Sequence, residues 1–109
     1  MTIVISIHGI YGTKYTHYPL ISQLNKLKYT AMTFDYSSLE TLAVIADQLS
    51  AFITENNPHN ENVVLVGHSA GGRIALKAKH PCIKGLLQSH AQLMVVTLLH
   101  GYAGFPLVQ

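Results

Sequence analysis

This sequence contains few charged residues. Charged residues make up 11% of its 109 residues, whereas an ordinary soluble domain contains about 25%. The net charge is only +2, and the seven Lys and Arg residues are scattered along the chain. Because a nucleic-acid-binding surface needs clustered positive charge, this composition argues against nucleic acid as a partner. The low content of charged residues also suits a core sheet that is covered by further chain or by a partner.

Cysteine is nearly absent. Cys82 is the only one, so no disulfide can form within the chain, and a packed thiol is expected at that position. His17, His59 and His80 lie beside turns or helix ends, and their spacing matches no zinc-binding pattern.

Long hydrophobic runs are missing as well. The apolar run LMVVTLL, Leu93–Leu99, is far shorter than the roughly 20 residues of a membrane-spanning helix. Met1 leads directly into an apolar strand pattern with no basic segment before it, so no signal peptide is predicted. We therefore expect a cytoplasmic protein without a transmembrane segment.

The sequence does contain a regular alternation of strand and helix patterns. Apolar strands are predicted at Ile3–Ile7, Tyr29–Tyr36 and Asn62–Gly67, each followed by a helical pattern. Fully apolar strands alternating with helices are typical of a parallel sheet that is covered on both faces. The length allows one domain. The prediction is a single α/β domain over residues 1–109, with a three-layer α/β/α arrangement and a doubly wound sheet.

Some boundaries are less sharply defined. Ser37 and Glu40 have the spacing of a capping box, which predicts the start of the second helix there. The segment IKGLLQ, Ile83–Gln88, fits either a fourth strand or the end of a helix. The later segment LMVVTLLHG is expected to form a strand followed by a turn.

One short motif carries chemistry. The residues GHSAG, Gly67–Gly71, fit the pattern G-x-S-x-G, directly after a predicted strand and before a predicted helix. This is the context of a nucleophile elbow, a strained turn that exposes a serine hydroxyl at the carboxyl edge of a sheet. Glycines are needed two positions before and after Ser69 because larger side chains would collide with the strand and helix. The alternative is a glycine-rich turn in which Ser69 only caps the helix.

A second motif follows the first strand. His8-Gly9-Ile10-Tyr11-Gly12 forms a glycine-containing loop, and acyl transfer needs two backbone N–H donors that converge on the developing oxyanion. One donor would come from Ala70, the residue after the serine, and the other from a loop after a neighbouring strand. Alone, such a His-Gly turn is common; beside an elbow, it supports an oxyanion hole.

Taken together, these motifs resemble the α/β-hydrolase superfamily, and in particular its small lipases and esterases, over Ile3 to about Pro81. The resemblance implies the α/β-hydrolase sheet, no cofactor and no metal. The implied substrate is a small acyl ester or a lipid. The resemblance also implies the following roles: Ser69 as nucleophile, the amides of Ile10 and Ala70 as the oxyanion hole, His8 as a structural residue at its base, and Gly9, Gly67, His68 and Gly71 as support for the loop and elbow.

The expected catalytic partners are harder to find. Serine hydrolases of this type carry the acid and then the histidine after the nucleophile, yet no Asp or Glu follows Ser69. His80, His90 and His100 do follow it. The segment around His100 aligns either with a family strand that would put Gly104 in the place of the acid or with an earlier strand end. Asp35 is the one upstream candidate for a replacement acid.

Several alternatives therefore stay open. We expect a hydrolase that is truncated at its C-terminus or disrupted in frame, with weak or no turnover in these 109 residues, and a degenerate pseudoenzyme is the second interpretation. Other chemistry of the same fold, such as that of a thioesterase or acyltransferase, is a rival function. The other rival function is that of a non-catalytic protein that binds an apolar ligand or partner.

Overall fold

In the computed structural model, which describes residues 2–9 and 18–88, helices and strands alternate along the chain. The strands are β1 (Thr2–Ile7), β2 (Thr30–Phe34), β3 (Asn62–Gly67) and β4 (Ile83–Gln88). The helices are α1 (Tyr18–Lys26), α2 (Leu42–Asn56) and α3 (Ala70–Lys77). The segment IKGLLQ is thus a strand. The strand expected within LMVVTLLHG lies outside the described residues.

The four strands form one sheet in the order β2-β1-β3-β4, and all neighbouring pairs are parallel. In the central pair, Ile3 lies opposite Val63 and Ile5 opposite Leu65. The predicted parallel α/β sheet is therefore confirmed. Its physical basis is the run of β-branched residues in β1 and β3, which can be buried on both sides of a sheet.

Alternate strand side chains pack against different helices. Ile5 and Leu65 join a cluster with residues of α2 and α3, while Val4 and Val64 join a second cluster with Leu20 and Leu24 of α1. Helices therefore cover both faces of the sheet. Because each fully buried aliphatic side chain stabilises the fold by about 1.5–3 kcal/mol, these two central strands anchor the domain. The buried thiol of Cys82 belongs to the first cluster.

The start of α2 differs from the prediction. Thr41, and not Ser37, is the N-cap residue, and its Oγ1 accepts a hydrogen bond of 3.3 Å from the Val44 amide. Ser37 instead stabilises a turn, since its Oγ accepts from the Leu39 amide and its carbonyl oxygen accepts from the Glu40 amide. The predicted capping box was wrong because serine stabilises turns and helix caps by the same kind of hydrogen bond.

Across the described part of the chain, every helix is too short or too polar to cross a membrane.

Candidate active site

The sheet order creates a crevice at one edge. From β1 the chain passes outward to β2, and it then returns to the other side of β1 to form β3. The carboxyl ends of β1 and β3 are therefore a topological switch point, where open α/β sheets bind ligands. His8 and Gly9 directly follow β1, and His68 and Ser69 directly follow β3. The fold thus brings the first two residues of one motif and the serine of the other to the same crevice.

Ser69 occupies a strained position between β3 and α3. Its backbone angles are φ 57° and ψ −120°, a conformation that costs a residue with a side chain about 1–3 kcal/mol. The residue stands at the N-cap position of α3, yet its side chain makes no capping hydrogen bond. The geometry is therefore unlike that of a serine that caps a helix. Ser69 is also exposed to solvent.

Two glycines make this turn possible. A Cβ on Gly67 would lie 2.5 Å from the Cα and N atoms of Gly72, and a Cβ on Gly71 would collide with the carbonyl oxygen of Ile7 and lie 2.8 Å from that of His8. These neighbours are backbone atoms, which cannot turn aside as a flexible side chain can. The helix therefore packs directly against the end of β1, and this close approach requires glycine.

Gly9, which follows β1, lies beside Ser69. A Cβ on Gly9 would lie 3.5 Å from the Cβ of Ser69 and 3.4 Å from the carbonyl oxygen of His68. The His68 amide in turn donates to the Ile7 carbonyl at 3.1 Å. Ile10, expected to supply one oxyanion donor, lies outside the described residues.

The first turn of α3 offers the other expected donor. The Gly71 amide donates to the His68 carbonyl and the Gly72 amide to the Ser69 carbonyl, each at 3.0 Å. No acceptor for the Ala70 amide occurs among residues 2–9 and 18–88. The first N–H groups of a helix lack partners within it and carry its partial positive charge. The Ala70 amide therefore remains the expected second donor of the oxyanion hole.

His8 is held in the crevice by three groups. Its ring is buried, with Nδ1 2.7 Å from the Gly9 carbonyl oxygen and Nε2 2.8 Å from Oδ1 of Asp35. Tyr36 stacks on this ring at a centroid distance of 4.2 Å, and its hydroxyl donates to the His8 carbonyl at 2.8 Å. Burial and the neighbouring Asp35 charge raise the pKa of the Tyr36 hydroxyl, which therefore stays protonated as a donor.

These contacts exclude His8 as a general base for Ser69. A carbonyl oxygen faces one ring nitrogen and a carboxylate faces the other, so neither is available to receive the serine proton. His80 precedes β4 and therefore lies at the amino end of the strands, away from Ser69. Its ring nitrogens contact the Thr54 hydroxyl and the Cys82 amide. His90 and His100 lie outside the described residues.

A small cavity adjoins the elbow. It has a volume of about 180 Å³ and lies between α3 and the stretch from Tyr36 to Ile45, which includes the start of α2. The residues that line it are Tyr36, Ser38, Glu40, Leu42, Ile45, Ala70, Arg73 and Ile74. Because Ala70 directly follows Ser69, the cavity begins one residue from the serine. Sequence reasoning missed this feature, since its walls are far apart in the chain.

Within the described ranges, no group of three or more His, Cys, Asp or Glu side chains is placed to hold a metal ion. In comparisons with protein-family models, with curated proteins and with solved structures, nothing matches this chain.

Proposed function

We propose that this chain has the α/β-hydrolase fold and is a serine hydrolase that acts on ester bonds through Ser69. The order of the parallel strands and the helices on both faces support this assignment. Strand order alone would also fit flavodoxin-like sheets. The observation that carries the proposal is the positive φ of Ser69 between two glycines that admit no Cβ. A helix cap needs no such strain, whereas a nucleophile elbow does.

The proposed reaction has two halves. The Ser69 Oγ attacks the acyl carbon and gives its proton to a solvent water molecule, and the carbonyl oxygen becomes an oxyanion that accepts hydrogen bonds from the amides of Ala70 and Ile10. Collapse of this intermediate breaks the bond to the leaving oxygen, which takes up a proton from solvent and departs as the alcohol, and leaves the acyl group on Ser69. Water then attacks the acyl group, and the carboxylic acid leaves as the serine recovers its proton.

The side chains that could act as general acid or base determine the expected rate of hydrolysis. No Asp or Glu follows Ser69, and His8 is committed to Asp35 and Gly9. A serine without a base stays protonated and is a weak nucleophile at neutral pH. When the triad is removed from a serine protease, catalysis of about 10³–10⁴ over water remains from the oxyanion hole and binding. We therefore expect slow cleavage, confined to activated esters, from these 109 residues.

An activated ester tests the proposal. Release of p-nitrophenolate from p-nitrophenyl butyrate is followed for the wild type, Ser69→Ala and Ser22→Ala, where Ser22 is an exposed serine on α1. We expect Ser69→Ala to lose the protein-dependent rate and Ser22→Ala to keep it. Equal rates in all three proteins would refute Ser69 as the nucleophile. A matched butyryl thioester separates esterase from thioesterase chemistry, since the preferred leaving group is cleaved faster.

A further inference from the structure

The cavity beside the elbow has walls that belong to two separate parts of the fold. One wall is α3, which contributes Ala70, Arg73 and Ile74, and the other is formed by the segment from Tyr36 to Ile45. Because helix α3 begins one residue after Ser69, a group that enters the cavity from the serine needs no long reach. The cavity is therefore placed to hold the part of a substrate that is attached to the reacting carbonyl.

The inner surface of the cavity is apolar. Ile45 and Ile74 are almost fully buried, and Leu42 is 40% exposed at the rim. Arg73 and Glu40 also line the cavity and carry opposite charges. A single unpaired charge in the wall would favour a charged ligand of the opposite sign. Because the two charges are opposite, the lining has no net charge, which favours an uncharged ligand group that contacts the aliphatic side chains.

The volume limits the size of that group. At about 180 Å³, the cavity is close to an engineered apolar cavity of about 150 Å³ that binds benzene. Pockets for whole drug-sized ligands are larger, at about 300–1,000 Å³. A group of about six carbon atoms fills the cavity by this comparison, whereas the chain of a membrane lipid is far too long.

We propose that this cavity is the acyl-binding subsite and that the substrates are esters of short, uncharged acids of up to about six carbons. This inference rests on the proposed function, in which Ser69 takes up the acyl group. It narrows the substrate class from acyl esters and lipids in general to short-chain esters.

The test measures acylation of Ser69 against acyl chain length. The full chain is incubated with p-nitrophenyl acetate, butyrate, hexanoate and decanoate, and the acyl adduct is quantified by intact mass. We expect the rate to rise to the hexanoate and to fall by at least about tenfold for the decanoate, since a misfit of one methylene group is worth about 10–200-fold.

Two variants at the rim and one control make the test specific. Leu42→Trp should fill the cavity and lower the hexanoate rate about tenfold relative to acetate, whereas Leu42→Ala should shift the optimum to longer chains. Leu76→Trp is the control, because Leu76 is 67% exposed on the same helix α3 and does not line the cavity. A chain-length profile that Leu42→Trp leaves unchanged would overturn the subsite.

Binding of an unreactive ligand separates this inference from the proposed function. Hexan-1-ol is titrated into the protein, and amide chemical shifts are followed by NMR. Shifts at Tyr36, Ile45 and Ile74 that disappear in Leu42→Trp would show that the cavity binds a six-carbon apolar group. If no ester then acylated Ser69, the proposed hydrolase, and with it the acyl role of the cavity, would fail although the cavity binds. Acylation of Ser69 without any hexanol-dependent shift at these residues would overturn the subsite alone.

Discussion

The Nε2 atom of His8 lies 2.8 Å from Oδ1 of Asp35, although 27 positions separate the two residues in the sequence. The imidazole is 1% exposed and the carboxyl group 52% exposed, so the contact anchors a buried ring to the surface end of β2. With Nδ1 also directed at the Gly9 carbonyl, the ring joins the loop after β1 to the end of the neighbouring strand. Asp35 is therefore engaged by a histidine that precedes Ser69 in the sequence.

Loss of the Asp35 carboxyl group should impair acylation more than folding. A peptide unit is planar, so the hydrogen bond from His8 to the Gly9 carbonyl also fixes the plane of the following amide, the expected oxyanion donor. We expect Asp35→Ala to lower the rate constant for Ser69 acylation by as much as 10²–10³-fold, about the effect of losing one donor. The half-saturating ester concentration should change little.

Two further variants distinguish positioning from a loss of charge. Asp35→Asn should keep most of the rate, because its amide can donate to Nε2 while Nδ1–H still donates to Gly9. Glu55→Ala, at an exposed position on α2, should have no effect. If Asp35→Ala acylates as fast as the wild type, the His8–Asp35 contact has no role in the site.

Replacement of Ser69 by glycine should stabilise the protein. Glycine tolerates the positive φ of Ser69, whereas alanine does not relieve the strain. We expect Ser69→Gly to raise the free energy of unfolding by about 1 kcal/mol and Ser69→Ala to bring no such gain. Urea denaturation of the three proteins measures this. A Ser69→Gly protein that is no more stable than Ser69→Ala would show that the strain is absent.

Gly71 and Gly72, at the start of α3, should differ in how well they tolerate replacement by alanine. A Cβ on Gly71 meets backbone oxygens, whereas a Cβ on Gly72 meets only the flexible side chain of Gln88, at 2.7 Å. Gly71→Ala should lower the free energy of unfolding by about 1–3 kcal/mol. Gly72→Ala should change it by less than about 1 kcal/mol, because the gain in helix propensity offsets the movement of Gln88. Equal losses in urea denaturation would argue against this packing.

Alkaline pH should weaken the fold through Tyr36. Burial and the Asp35 charge raise the pKa of Tyr36 above its ordinary value of 10.0, so the folded protein holds this proton when the unfolded chain releases it. The contribution of Tyr36 to the free energy of unfolding is therefore fully present below pH 10. It is lost as the pH rises through the folded-state pKa. Tyr36→Phe should flatten this fall, while Tyr29, whose pKa burial also raises, maintains part of it.

The Tyr36 hydroxyl has a separate effect at neutral pH. Tyr36→Phe removes the hydrogen bond to the His8 carbonyl and should lower the free energy of unfolding by about 0.5–1.5 kcal/mol. Urea denaturation at a series of pH values from neutral to alkaline separates the two effects. An identical alkaline slope in the wild type and Tyr36→Phe would contradict the raised pKa.

Local patterns in the sequence predicted the sheet because the apolar runs of β1 and β3 carry their own signal. The strand before Ser69 and the helix after it were predictable for the same reason, since these elements are its neighbours in the chain. The contact between His8 and Asp35 had no such signal, because it depends on the pairing of β1 with β2. The start of α2 at Thr41 was missed where a serine turn competes with a cap.

Covalent labelling of Ser69 tests the central claim most directly. In the reaction with a fluorophosphonate, the serine oxygen displaces fluoride from phosphorus, and peptide mass mapping locates the adduct. The folded protein should form one adduct, on Ser69, at least about 10²-fold faster than the urea-unfolded chain. Ser69→Ala should abolish the adduct and Ser22→Ala should retain it. A folded wild type that reacts no faster than the unfolded chain, or that reacts equally after Ser69→Ala, would contradict the assignment of Ser69 as the nucleophile.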